Sequence, residues 1–164
     1  MKEEPILFNI AKLAKEKGFD WCVSQFYGAD QKIRSFAQGS LINFNGFKSS
    51  YNKSATSAPT HYILATWLRN VHNIIVTSQP NCLTEFANKE NLKYYPVFYT
   101  YSETKGRFIL YTDFIMSDEC TAEMQETMPI FQNYDSYEEA FEIGLHEALK
   151  LIKDKNNVNL TKEL

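Results

Sequence analysis

The sequence predicts an α+β fold: a single compact domain over residues 1–154, with antiparallel β-hairpins packed against about three α-helices, and a polar, frayed tail over 155–164. Three observations carry this prediction. Apolar residues recur at helical spacing in three separated stretches, approximately 5–17, 59–72 and 136–153. Between them lie ring-rich, strand-like runs broken by short turns. The 164 residues, 44% hydrophobic and 23% charged, suffice for one core of ordinary size and exclude global disorder.

The first helix is framed by Pro5, which suits the first helical position, and by Gly18, a natural left-handed stop. Ile6, Leu7, Ile10, Leu13 and Ala14 give it one apolar face. Residues 19–27 lack a helical period and read as extended. A hairpin is expected over 41–51, because Asn45-Gly46 separates two strand-like runs and both residues accept the positive φ of a type I′ turn. Residues 49–58 are rich in Ser, Asn, Thr and Ala and read as a loop. The second helix starts near Pro59 with Leu64, Trp67, Leu68 and Val71 as its buried stripe. Asn73 ends it, a strand follows over 74–77, and a helical turn is expected around 83–87.

The clearest β pattern is the hairpin over 94–115, with its turn at 102–106. Pro96 cannot donate to a ladder, so that strand is expected at an edge or bulged there. Rings on both faces imply cover on both: helices on one, a partner or ligand on the other. Ser136 and Glu139 form the capping box of the last helix, whose core face is Tyr137, Phe141, Gly144, Leu145, Ala148 and Ile152.

The ends and the cysteines narrow the setting. No run approaches the ~20 apolar residues of a membrane-spanning helix. The opening Met1-Lys2-Glu3-Glu4-Pro5 is too acidic for a signal peptide, so a cytoplasmic location is expected. Cys22, Cys82 and Cys120 are odd in number and far apart, which disfavours a disulfide scaffold or a cysteine zinc site.

Charge is polarised along the chain although the net value is only -3. From Gln31 to Thr84 there is no Asp or Glu, whereas Lys32, Arg34, Lys48, Lys53 and Arg69 all fall there. The expectation is an anion site in which these five cations neutralise phosphate and Phe36, Phe44, Phe47 or Tyr51 stacks a base. Whole-chain acidity opposes the long-range attraction that nucleic-acid binding needs, so a small phosphorylated ligand fits better.

Catalytic motifs are lacking: there is no P-loop, G-x-G-x-x-G, G-x-S-x-G or H-E-x-x-H. His61 and His72 lie eleven residues apart, ~16 Å along a helix, and cannot share a metal. The carboxylates Asp118, Glu119, Glu123 and Glu126 lack EF-hand spacing and read as a solvated loop. No catalytic residue, metal site or cofactor is assigned on this basis.

Four stretches also resemble a known group: residues 10–20, Ala58-Pro59-Thr60, residues 67–74 and residues 135–152. In order and character they are similar to short uncharacterised proteins encoded by phages and prophages of gut bacteria. Asn70 departs from that pattern, standing where an acidic residue is expected. The resemblance implies an accessory protein acting inside a bacterial host. With the charge map, it gives the expectation of a non-catalytic, counter-defence type protein that sequesters a nucleotide-like small molecule. The alternatives are an inhibitor of a host protein acting through the aromatic hairpin and the acidic C-terminal half, or a small hydrolase or transferase using Cys22 or a carboxylate of 118–126. A homodimer through the 94–115 hairpin is expected as a further partner arrangement.

Overall fold

The structure is a computed structural model that describes residues 4–36, 40–46, 54–81, 92–110, 129 and 132–152. Among the described residues the fold is α+β, with three helices and two three-stranded antiparallel sheets. By its contacts the chain divides into two compact units, Met1–Ile63 with Leu149–Leu164, and Leu64–Ala148. No helix among the described residues is long and apolar enough to cross a membrane. The helical turn expected at 83–87 and the tail 155–164 lie outside the described residues.

In the first unit α1 spans Phe8–Glu16 and buries Ile10, Ala11 and Ala14. It starts three residues later than Pro5 suggested. Pro5 instead bridges to Thr60, and the Ile6 N–H donates to the Pro59 carbonyl at 3.0 Å, so both residues are held extended. The C-terminus follows the expectation. Gly18 sits at φ 91, its N–H bonds to the Lys15 carbonyl and that of Phe19 to the Ala14 carbonyl, a Schellman stop.

The sheet of this unit has β1 (Gln25–Tyr27) between β2 (Ile33–Ser35) and β3 (Thr56–Ser57). β2 falls in the basic segment, where sequence had marked charge and no strand. The hairpin expected over 41–51 is corrected in its first half. Ile42 bridges to Val23, and neither Asn45 nor Gly46 has positive φ, so the turn is not type I′. The Asn43 carboxamide oxygen accepts from the N–H groups of Asn45 and Gly46, both at 3.0 Å, and this side-chain turn supplants the backbone one. The second arm, 47–51, lies outside the described residues.

Helix α2 spans His61–His72. The Thr60 hydroxyl accepts from the Ile63 N–H at 3.4 Å, which makes Thr60 the cap, so the helix starts two residues after Pro59, where the sequence had placed its first turn. Leu64, Trp67 and Leu68 are buried as expected, but Val71 is 51% exposed. Asn73 ends the helix at φ 56.

In the second unit β5 (Tyr94–Ser102) lies between β4 (Ile74–Pro80) and β6 (Arg107–Leu110). Pro96 is therefore in a middle strand, opposite Ser78. Its missing donor is still harmless. The Tyr94 N–H bonds to the Tyr134 carbonyl and that of Tyr101 to the Asn73 carbonyl, so even-numbered residues of β5 point away from β4. The missing N–H of Pro96 is therefore not one that the β4 ladder uses.

Helix α3 spans Tyr137–Lys150, capped by a bond from the Glu139 N–H to the Ser136 hydroxyl at 3.1 Å. It meets this sheet at Gly144, where an added Cβ would come within 2.9 Å of Val76 Cγ1 and 3.1 Å of Pro96 Cβ. Glycine is needed there for close approach, not for backbone freedom. Ala140, Leu145 and Ala148 are buried with it, whereas Tyr137, expected in the core, is 42% exposed.

Candidate functional site

The five cations picked from the charge map are not shown to form one site. Lys32 is exposed at the end of the β1–β2 turn, its N–H donating to Asp30 Oδ1 and its carbonyl accepting from the Gly28 N–H. Arg34 is held by Asp30, Nη2 to Oδ2 at 2.9 Å. A Cβ at Gly28 would lie 1.6 Å from Arg34 Nη1, so the guanidinium lies directly across the glycine backbone. The loss of water around Asp30 raises its pKa, but the Lys32 N–H and the Arg34 guanidinium outweigh that and hold it below the ordinary value.

Arg69 belongs to the second unit, is exposed, and its Nε donates to Asn70 Oδ1 at 3.3 Å. Phe47, Lys48, Tyr51 and Lys53 lie outside the described residues. Of the other rings considered for stacking, Phe44 is only 3% exposed and stacks on Phe26 at 4.4 Å, which makes it core. Phe36 remains exposed, edge-on to Phe44.

A concavity does exist in the first unit, built largely from α1. A half-open groove of about 560 Å³ is lined by Phe8, Lys12, Lys15 and Glu16 of that helix, by Gly28, Ala29 and Gln31 of the β1–β2 turn, and by Ser54 and Thr56. Its size falls within the range of small-molecule sites. Phe8, Lys12 and Glu16 recur at intervals of four, so they form one row along the exposed side of α1.

Each wall is set by a local cause. Lys15 Nζ donates to the Ala55 carbonyl at 2.7 Å and ties α1 to the segment that carries Ser54 and Thr56. Phe8 is braced edge-on by Tyr27, whose hydroxyl donates to the Ile6 carbonyl at 2.7 Å. The turn of the third wall is a three-residue loop: the Gln31 N–H bonds to the Gly28 carbonyl, that of Gly28 to the Lys32 carbonyl, and Gln31 is left-handed at φ 58.

The polar ends available in the groove are distinct from the ones that build it. Lys15 is used structurally. The side chains of Lys12, Glu16 and Gln31 have no hydrogen-bond or ion-pair partner among the described residues, and all three are exposed. The groove therefore offers one ammonium, one carboxylate and one carboxamide around a half-buried ring.

Sequence reasoning missed Lys12 and Glu16 because they lie outside the acid-free window, in a stretch whose charges nearly cancel. The four-residue row Phe8, Lys12, Glu16 was the legible signal. Among the described residues no group of His, Cys, Asp and Glu is placed to hold a metal. His146 Nδ1 lies 3.2 Å from Glu147 Oε1, its neighbour on α3, and Cys22 is an exposed free thiol.

Comparison with protein-family models, curated proteins and solved structures gives no match to this chain.

Proposed function

We propose that this protein binds a small phosphorylated, nucleotide-like molecule in the α1 groove and holds it without chemical change. The observation that carries the reading is the row on α1: an ammonium at Lys12 and a carboxylate at Glu16, neither with a partner among the described residues, beside the Phe8 ring. Lys12 supplies the countercharge for a phosphate. Glu16, about 6 Å further along the helix, accepts hydrogen bonds from sugar hydroxyls. Phe8 gives a flat apolar surface for a ring, and Ser54 and Thr56 add short hydroxyl donors. The proposed setting is that of a phage-type accessory protein removing a host-derived signal from circulation, a part of the proposal drawn from the sequence resemblance of the helical stretches alone. Gln31, Ser54 and Thr56 of the groove belong to the acid-free segment, and Lys32 stands at the end of the turn that carries Gln31.

The test is a thermal-shift screen against mononucleotides and cyclic dinucleotides. A binder at 100 times its dissociation constant stabilises the fold by about 2.7 kcal/mol. Lys12→Glu, at an exposed position, should abolish the shift and lower the unliganded melting temperature by no more than about 2 °C, the like-charge cost against Glu16 four residues on. The ligand should be recovered intact after denaturation; a converted product would replace binding with catalysis. No shift with any nucleotide would overturn the reading.

One observation favours a second reading. Tyr101 and Phe108 are paired across β5 and β6, 44% and 39% exposed, with rings edge-on at 5.4 Å. Such a ring pair suits a protein partner or a second copy docking on the hairpin. Tyr101→Ser with Phe108→Ser would then lower the mass measured by light scattering, or release a bound host protein.

A further inference from the structure

We propose that Gln31 is the specificity-determining residue of the groove, the group that distinguishes a nucleobase-bearing ligand from a bare sugar phosphate. The inference rests on the nucleotide-like reading of that groove. Four described residues adopt positive φ: Gly18 at 91, Gly106 at 61, Asn73 at 56 and Gln31 at 58. Three of them are of the residue types that tolerate the left-handed region, and each sits at a helix stop or a hairpin turn. Gln31 is the exception in type, and it lines the groove.

Nothing in the turn calls for a glutamine. The bond that closes it, from the Gln31 N–H to the Gly28 carbonyl at 3.0 Å, is made by backbone atoms and any residue but proline supplies it. The last residue of such a three-residue loop is most often glycine. The Gln31 carboxamide makes no hydrogen bond among the described residues. A strained residue whose side chain does nothing for the fold, and which stands at a cavity, is explained by what the cavity holds.

The chemistry of the carboxamide sets the class of ligand. It presents one donor pair and one acceptor side by side, the complement of a base edge that carries an acceptor beside a donor, as adenine does. Lys12 and Glu16 recognise phosphate and sugar and are indifferent to the base. Gln31 faces the groove from the turn, not from the helix, and is free to read the remaining part of the ligand.

The experiment compares wild type with Gln31→Gly and Gln31→Ala, using AMP and ribose 5-phosphate as probes, with calorimetric binding and thermal melting as readouts. Both variants lose the carboxamide, but only glycine relieves the left-handed backbone. Gln31→Gly should melt about 2–4 °C higher than wild type and Gln31→Ala should not. Both should bind AMP roughly tenfold more weakly, as expected for a lost hydrogen-bonded pair, with ribose 5-phosphate affinity unchanged. An AMP preference undiminished in both variants overturns the proposal and leaves the groove reading standing, whereas the part owed to the Phe8 ring persists in either case. A preference lost only in the glycine variant also overturns it, since loosening of the turn would then be the cause. If wild type binds neither probe, this inference is overturned; if it binds them in a way that Lys12→Glu does not weaken, the groove reading falls and this inference falls with it.

Discussion

The first unit has ladders of two or three residues, and side chains reaching backbone carbonyls join its parts; the second has a ladder of seven register pairs between β4 and β5, with an apolar face set on α3. In the first, Lys15 reaches the Ala55 carbonyl, Tyr27 the Ile6 carbonyl, Lys17 the Ile152 carbonyl, and Asn45 the Phe19 carbonyl. A short ladder supplies few hydrogen bonds, so neighbouring segments must be held from outside it. The consequence for function is a division among polar side chains. Those that staple the unit are consumed by it, and among the described residues of the groove those left over are Lys12, Glu16 and Gln31.

The sharpest way to break that contrast is Asn45→Ala. The Asn45 carboxamide donates to the Phe19 carbonyl at 2.8 Å and accepts from the Ser57 N–H at 2.9 Å, so it joins the end of α1 to β3. Losing both bonds and stranding their partners should cost about 2–3 kcal/mol in urea unfolding. A loss under ~0.5 kcal/mol would show that water replaces the carboxamide and that side-chain staples do not hold this unit.

The second unit should respond to volume instead. Gly144→Ala places a methyl within 2.9 Å of Val76 Cγ1 and 3.1 Å of Pro96 Cβ, and the proline ring cannot turn aside. Overpacking of about 1–3 kcal/mol works against the ~1 kcal/mol that alanine gains over glycine in a helix, for a net loss of up to about 2 kcal/mol. A stabilised variant would mean that α3 stands off the sheet and that its glycine is incidental.

The same division explains what could be read from the sequence. Period and caps are local, and so the three helices, the Gly18 stop, the Asn73 stop and the Ser136 cap were legible. The starts of the first two were not, because Pro5 and Pro59 suit a helix start by themselves but are drawn into extended pairing between residues more than fifty positions apart. Asn45-Gly46 misled for a related reason: Asn43, two residues earlier, offered the backbone a side-chain acceptor that the dipeptide rule does not weigh. The groove was hidden by reliance on net charge. A window free of acids drew attention to Arg34, although Asp30, one residue outside that window, is the carboxylate that binds it. Lys12 and Glu16 cancel in any sum over sequence, and only the helical interval of four places them side by side.

The smallest effect expected is also the most specific, because it isolates charge from shape. Asp30→Asn keeps an oxygen for the Lys32 N–H and removes only the attraction for Arg34. Asp30 has its pKa held below the ordinary carboxylate value in the fold, so its contribution is fully present above about pH 4 and disappears as the pH falls through the lowered value. Wild type should therefore melt slightly above the variant at pH 7, and the gap should close toward pH 2.5. Salt at about 1 M should narrow it at pH 7 as well, because both partners are exposed and the pair is screened. A gap that persists at low pH would assign the loss to the shape of the turn. Arg34 would then be anchored by its packing over Gly28 and not by the carboxylate, and the basic strand of the first unit would carry a cation whose charge is free for an anionic ligand after all.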